Sequence, residues 1–528
     1  MTKLFGFDIR LPFLSRVDNT RATSRAERTE ATQARIIPKD PPRTHQESMS
    51  QTELDNFGMK PRSGSTLRGQ GFFSVSSQEV QRAKESSDPK AQAEVLQDII
   101  RDRTNILFRN DAKRLERMKD LLGGMSAEQI DGVRAAYIER FGKDPEVDIR
   151  SWDLLQPLSD LSDELELEMT ATLTGPRHRE TAKSLSGFLE KAKDGTLTQE
   201  DRKTYFSMMA KTGLWNPPLR PDAQDKDAME RTILKRMWSE QPDSQEMSID
   251  KAMKTIEAGL PPADLTPKAP REKSVAVIVS SAGAQWQELM GWAKEMDKAG
   301  YHLQLFTPNG RPVAFQHDSM SVSSKTRHLG FGSPPDLDPA GETGKLASKL
   351  LGNTTGAENF NPEHFGAVYS AGGLGFNEDV AKATPKPKGK GADLAVNPNI
   401  ASMMKKAVDA RLPNIAICHG PTLYAATPIT INGREEPLSR GLKTASLPPF
   451  EGYVGFTERK EPQFTYDLNT HRALEASGGE TSVFRDVLKM NRVVTDHKDG
   501  MDIITGPGPQ AANELAHATI EALKRRWQ

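Results

Sequence analysis

The chain contains one cysteine, Cys418, and its neighbours are of the kind that make a thiol react. It follows the apolar run Asn414–Ile417 and precedes His419-Gly420-Pro421-Thr422. Glycine and proline directly after a strand suit the sharp strand-to-helix turn that presents a nucleophile at its tip. A helix N-terminus behind the sulfur, and any nearby cation, would favour the thiolate. A thiolate held there is both a nucleophile and an oxidation target. The competing reading is a buried, inert thiol that packs as a small hydrophobe.

The remaining chemistry-bearing residues exclude more than they offer. One cysteine rules out an intramolecular disulfide and a Cys-based structural zinc site. His471 and His497 stand without spaced His, Asp or Glu partners and read as packing or surface residues. No metal motif or P-loop is visible. Gly373-x-Gly375 begins like a dinucleotide loop, but Glu378 stands where the third glycine is needed. No cofactor and no metal are expected.

The elements that must hold Cys418 can be read from the alternation of patterns. From Lys273 onward, short β-branched runs alternate with helical segments. Strands are expected at Ser274–Ser280, His302–Phe306, Ala367–Ser370, Asn414–Ile417 and Met501–Thr505. Helices are expected at Gln287–Lys298, Ile400–Ala410 and Pro509–Lys524. This alternation predicts an α/β fold with a largely parallel, doubly wound sheet over 273–528. In such sheets ligands sit beyond the carboxyl ends of the strands, where Cys418 falls.

Upstream, the character changes. Residues 91–258 carry successive helical patterns and no β-rich run, which predicts an all-α domain of six to eight helices. Ser126-Ala127-Glu128-Gln129 reads as a capping box opening a helix with Ile130, Val133, Tyr137 and Phe141 on its apolar face, ended by Gly142. Further helices are expected at 156–173, 179–193, 199–211, 226–238 and 248–258. Residues 259–272 are a Pro-rich linker. Residues 1–90 read as a disordered polar tail, with 15 Lys+Arg against 11 Asp+Glu. So little apolar content cannot offset the entropy of ordering.

Composition bounds the rest. The 528 residues carry 71 Lys+Arg and 72 Asp+Glu, so neither a strongly basic nucleic-acid binder nor an acidic solvating protein is expected. The longest apolar runs fall short of the ~20 residues of a membrane helix, and no signal-peptide h-region is seen. The expectation is a soluble, cytoplasmic protein. The alternative is secretion into a host cell by a route without a cleaved signal, with the helical module binding a protein partner.

The residues around Cys418 also match a family. Ala416-Ile417-Cys418-His419-Gly420-Pro421 resembles the nucleophile motif of the DJ-1/PfpI superfamily, in its Hsp31-like, class I glutamine amidotransferase-like branch. Other landmarks follow in order. They are Glu288 with Ala299-Gly300, Phe306-Thr307-Pro308-Asn309-Gly310, Asn353-Thr354, Pro362–Val368, Ala371-Gly372-Gly373 with Asp379, and Thr505-Gly506-Pro507-Gly508-Pro509. The chain departs from the pattern at Leu374, where many relatives have His, and at Trp292, where a proline is usual. Ala383–Gly391 and His328–Thr343 read as insertions near the same face. Separately, Leu121–Ile149 resembles one annexin repeat at Tyr137, Phe141-Gly142, Asp144 and Asp148-Ile149. It lacks the Gly-x-Gly-Thr calcium loop.

The DJ-1/PfpI resemblance implies a flavodoxin-like fold and assigns roles. Cys418 is the implied nucleophile, Glu288 the general acid/base that approaches the thiol, and His419 the imidazole beside it. Glu451 is the acid that orients His419. Gly373 and the His419 N–H are implied oxyanion donors. The implied activity is a glutathione-independent glyoxalase converting methylglyoxal to D-lactate, or a related deglycase or amide hydrolase. The substrate class is small reactive aldehydes or glycated groups, and the implied assembly is a homodimer. The alternative is a non-enzymatic stress protein, redox-sensing through Cys418 or holding unfolded chains.

Overall fold

The computed structural model describes residues 3–4, 7–8, 75–100, 111–142, 145–150, 163–212, 226–315, 342–373, 375–385, 392–431, 433–446, 470–481 and 492–527. The chain divides into two units, Met1–Lys60 and Pro61–Gln528. In the first, Lys3–Leu4 pairs antiparallel with Phe7–Asp8. All that follows concerns the second.

The C-terminal part is built on a seven-stranded sheet. Its strands are β1 (Ser274–Ile278), β2 (His302–Thr307), β3 (Thr355–Gly356), β4 (Ala367–Ser370), β5 (Asn414–Ile417), β6 (Val494–Lys498) and β7 (Met501–Gly506), in the order β6-β7-β5-β4-β1-β2-β3. All neighbours are parallel except β6 against β7. β1, β4 and β5 are buried along their whole length. Burial on both faces is why these strands read as unbroken apolar runs rather than alternating ones.

Each face carries its own core. One is packed by α10 (Trp286–Lys298), α11 (Glu342–Leu351) and α16 (Ala512–Trp527), through residues such as Trp292, Leu346 and Leu515. The other is packed by α12 (Phe376–Asp379), α13 (Pro398–Asp409), α14 (Thr422–Ala426) and α15 (Thr470–Ala476), with Phe376, Met404, Leu423 and Leu474 inside. The fold is the doubly wound α/β arrangement that the alternation predicts. Register aligns the strand ends: Ile278 stands opposite Ser370, Ser370 opposite Ala416, and Ile417 opposite Gly506. The residues just past the ends of these four strands, β1, β4, β5 and β7, therefore converge at one edge.

Ahead of the sheet lies a helical region: α1 (Ser77–Ser86), α2 (Pro89–Ile100), α3 (Asp111–Leu122), α4 (Ala127–Phe141), α5 (Pro145–Arg150), α6 (Asp163–Lys193), α7 (Gln199–Thr212), α8 (Lys226–Ser239) and α9 (Ile249–Gly259). The Ser126 capping box forms as its sequence predicts, and Gly142 closes α4 at φ 74°. Tyr137, at the centre of the annexin-like stretch, is an ordinary core side chain meeting Phe141 edge-on at 4.7 Å.

Two expectations are corrected here. Ser77–Ser86, assigned to the polar tail, is a helix, and a second helix begins at Pro89. Ser76 and Glu79 form a capping box, and Val80 and Ala83 are buried beneath it. A single turn's cap and two small buried side chains give little periodic signal. The two helices expected at 156–173 and 179–193 are joined over 163–193 by one helix running through Pro176. Met169, Leu173, Ala182, Leu185 and Leu189 are buried on both sides of that proline, and this packing outweighs its missing hydrogen bond. Of the two expected insertions, the first is flanked by antiparallel strands, Ala381–Pro385 and Ala392–Val396. Most of the second lies outside the described residues, as does Leu374.

Candidate active site

Cys418 is the first residue beyond β5. Its φ is 60°, in the left-handed region that a side chain with a Cβ rarely adopts. Such a conformation costs on the order of 1–3 kcal/mol and persists only where the surroundings impose it. Here the Cys418 N–H donates to the Gly506 carbonyl of β7 at 2.9 Å, and the Gly420 N–H donates to Ile417 at 2.7 Å. Gly420 must be glycine, because a Cβ there would lie 2.5 Å from the Ser370 carbonyl. The strand-to-helix elbow thus forms as expected. The helix after it is only five residues long, so its dipole supports the thiolate less than the sequence reading supposes.

Glu288 lies in the first turn of α10 and is fully buried. Both it and Cys418 lie against Gly372. A Cβ added to Gly372 would stand 2.5 Å from Glu288 Oε2 and 2.7 Å from Cys418 Cβ. Gly372, a landmark beside Gly373 in the sequence, is the residue whose missing side chain lets Glu288 Oε2 and Cys418 Cβ both lie this close. A Gly-Gly pair at a strand end is the signal that points to both.

His419 places Nδ1 3.3 Å from Cys418 Sγ. Burial lowers its pKa from the usual 6.5 to about 4, so the ring is neutral near pH 7 and can accept a proton. Glu451 lies outside the described residues. The strands Pro428–Ile431 and Arg434–Pro437, which precede it in the chain, pair antiparallel.

Gly373 holds φ 116°, and a Cβ on it would meet the Gly283 carbonyl at 2.5 Å. Among the described residues, neither the Gly373 nor the His419 N–H is committed to a backbone carbonyl. The loop behind Gly373 is clamped by hydrogen bonds. Gln285 N–H donates to the Gly372 carbonyl at 3.3 Å, and Gly375 N–H to Gly283 at 2.9 Å. Asp379 accepts from Ser280 Oγ, Ser281 N–H and Ser281 Oγ at 2.7, 2.7 and 2.6 Å. Burial raises its pKa to about 6 against those three donors.

One contributor had no sequence signal. Tyr369, inside β4, donates its hydroxyl to the Glu288 backbone carbonyl at 2.8 Å and stacks on Trp292 with centroids 4.0 Å apart. Burial first, then the charges of Glu288 and Cys418, push its phenol pKa well up, so it stays a neutral donor. The two histidines read as isolated are placed elsewhere. His471 is buried and meets Glu475 at 3.2 Å, while His497 is exposed beside Asp502.

No family model matches the chain, and no curated protein does. Solved structures similar to it include glyoxalase III from Candida albicans, at 18% identity over 48% of this chain and 98% of that one, TM-score 0.36. Drosophila melanogaster DJ-1beta matches at 18% over 48% of this chain and 90% of its own, TM-score 0.28. A ThiJ/PfpI domain protein from Brachyspira murdochii matches at 12% over 49% and 99%, TM-score 0.27.

Proposed function

We propose that the chain is a cysteine-dependent enzyme acting on small reactive aldehydes, with methylglyoxal converted to lactate without glutathione. The observation that carries this reading is that Cys418, held at φ 60° on its elbow, and the carboxyl of Glu288 lie against the same glycine, Gly372. The ordered motifs from Glu288 to Pro509 support the same reading.

In this scheme neutral His419 hydrogen-bonds Cys418 Sγ through Nδ1, the thiol gives up its proton and Sγ adds to the aldehyde carbon. A C–S bond forms, and the carbonyl oxygen takes up a proton. Glu288 removes the hydrogen remaining on that carbon and returns a proton to the adjacent ketone carbon, while the new hydroxyl's proton passes to the ketone oxygen. The first carbon is oxidised and the second reduced, so no outside oxidant is needed. Water then cleaves the resulting lactoyl thioester and restores the thiol. The N–H groups of Gly373 and His419 would face the oxyanion of that last step, and Glu451 would orient His419. The same thiol and carboxyl could hydrolyse a glycation adduct or an amide.

The test is incubation of purified protein with methylglyoxal in the absence of glutathione, assayed for D-lactate. Wild type is expected to form it, Cys418→Ala to form none above background, and Glu288→Gln to form it far more slowly. A folded wild type whose Cys418 can be alkylated but which yields no lactate would sink this substrate.

A further inference from the structure

The helical region is not a loosely tethered module. Gln199 Nε2 donates to the Pro262 carbonyl at 2.7 Å, which pins the Pro-rich connection to α7. Arg202 is nearly buried. Its guanidinium lies over the Phe206 ring at 4.1 Å and donates to the Thr354 carbonyl, beside β3, at 2.8 Å. Ser207 reaches Ser348 of α11 at 3.4 Å, and Ala210 is buried in the core on that face of the sheet. In the other direction, Ala314 of the α/β part is fully buried in the apolar cluster of α6, α7, α8 and α9, among Tyr205, Met209 and Ile256.

A chain of contacts leads from Ala314 toward the site. Its carbonyl accepts from the Ala284 N–H at 2.7 Å, and Ala284 pairs with Phe315 in a parallel bridge. Phe315 meets Trp286, the first residue of α10, edge-on at 4.9 Å. The segment so held, Gly283 to Trp286, presses on Gly373 from one side and leads directly into the turn bearing Glu288.

We propose that the helical region is a positioning part of the active site. By covering Ala314 it fixes Gly283–Trp286, and through that segment the Gly373 turn and the placement of Glu288 beside Cys418. The proposal rests on the reading of Cys418 as the site's reactive group. It does not depend on the aldehyde, because its readout is the thiol itself.

The experiment uses the full chain with Arg202→Met and, separately, Ala314→Leu, neither of them among the residues assigned to the chemistry. Iodoacetamide alkylation is followed from pH 5 to 9; with one cysteine in the chain, every labelled molecule reports Cys418. Circular dichroism verifies folding, and hydrogen exchange follows the Ala284 amide. A coupling of ordinary size would change the alkylation rate about fivefold or more and displace the pH profile, with faster Ala284 exchange. Profiles that match wild type in the folded variants overturn the proposal. So does a displaced profile with Ala284 exchange unaltered, since the effect then travels by another route. If Ala314→Leu fails to fold, Arg202→Met decides alone. Missing methylglyoxal turnover alongside a displaced thiol profile would count against the substrate and not against this coupling.

Discussion

Glu288 Oε2 and Cys418 Cβ approach each other across Gly372, both within 2.7 Å of the point where a side chain on that glycine would begin. Gly372→Ala forces one of them aside. Overpacking of this kind costs about 1–3 kcal/mol. Displacing a catalytic group by about an ångström can cost on the order of a hundredfold in rate. Methylglyoxal turnover is expected to fall about that far while thermal denaturation shows a folded, modestly weakened protein.

Glu288→Gln keeps the shape of the side chain and removes its proton chemistry. Loss of a positioned general acid/base costs roughly 10²–10⁴-fold. Turnover is expected to drop within that range, with Cys418 still alkylated by iodoacetamide. Turnover within about twofold of wild type, judged against that same span, would remove Glu288 from the mechanism.

Tyr369→Phe keeps the stack on Trp292 and deletes the hydrogen bond to the Glu288 carbonyl. One such bond is worth about 1 kcal/mol of stability. If Tyr369 orients Glu288, kcat falls by more than that stability loss accounts for, and KM is unaltered. Steady-state kinetics beside a urea melt separates the two effects.

Glu257 gives a pH signature at the base of the helical region. Its carboxyl accepts from the Tyr205 hydroxyl at 3.1 Å, and burial raises its pKa to about 7. The folded state therefore binds this proton more tightly than the unfolded state, whose carboxyl titrates near 4.5. The stability it supplies is full below pH 4.5 and is lost as pH rises toward 7. Glu257→Gln keeps the acceptor and lacks the titration. Its stability relative to wild type is expected to improve by about 1–3 kcal/mol between pH 5 and 8, read from urea midpoints.

Much of the α/β half was legible because parallel strands buried on both faces leave a plain apolar record. The elbow at Cys418 announced itself through the glycine and proline its turn requires. Glu288 was found by motif order alone; as a helix carboxylate it has no local mark of burial. The parts that stayed hidden depend on single contacts between distant segments. Tyr369 looks like any aromatic in a strand. Arg202 looks like any helix charge until Thr354 is brought beneath it. The helix through Pro176 broke a local rule that packing at both ends of α6 overrode.

The Gly506 carbonyl that receives the Cys418 N–H comes from β7, far along the chain from β5, and Gly372 comes from β4 on the other side. The thiol is enclosed only after these three strands have found one another. Contacts of such long sequence separation form slowly, whereas helices such as α4 can form from local contacts. In refolding, protection of the single sulfur from a pulse of alkylating reagent would thus mark the closing of the sheet. Recovery of helical dichroism would mark an earlier event. One atom would serve as a clock for the last stage of assembly.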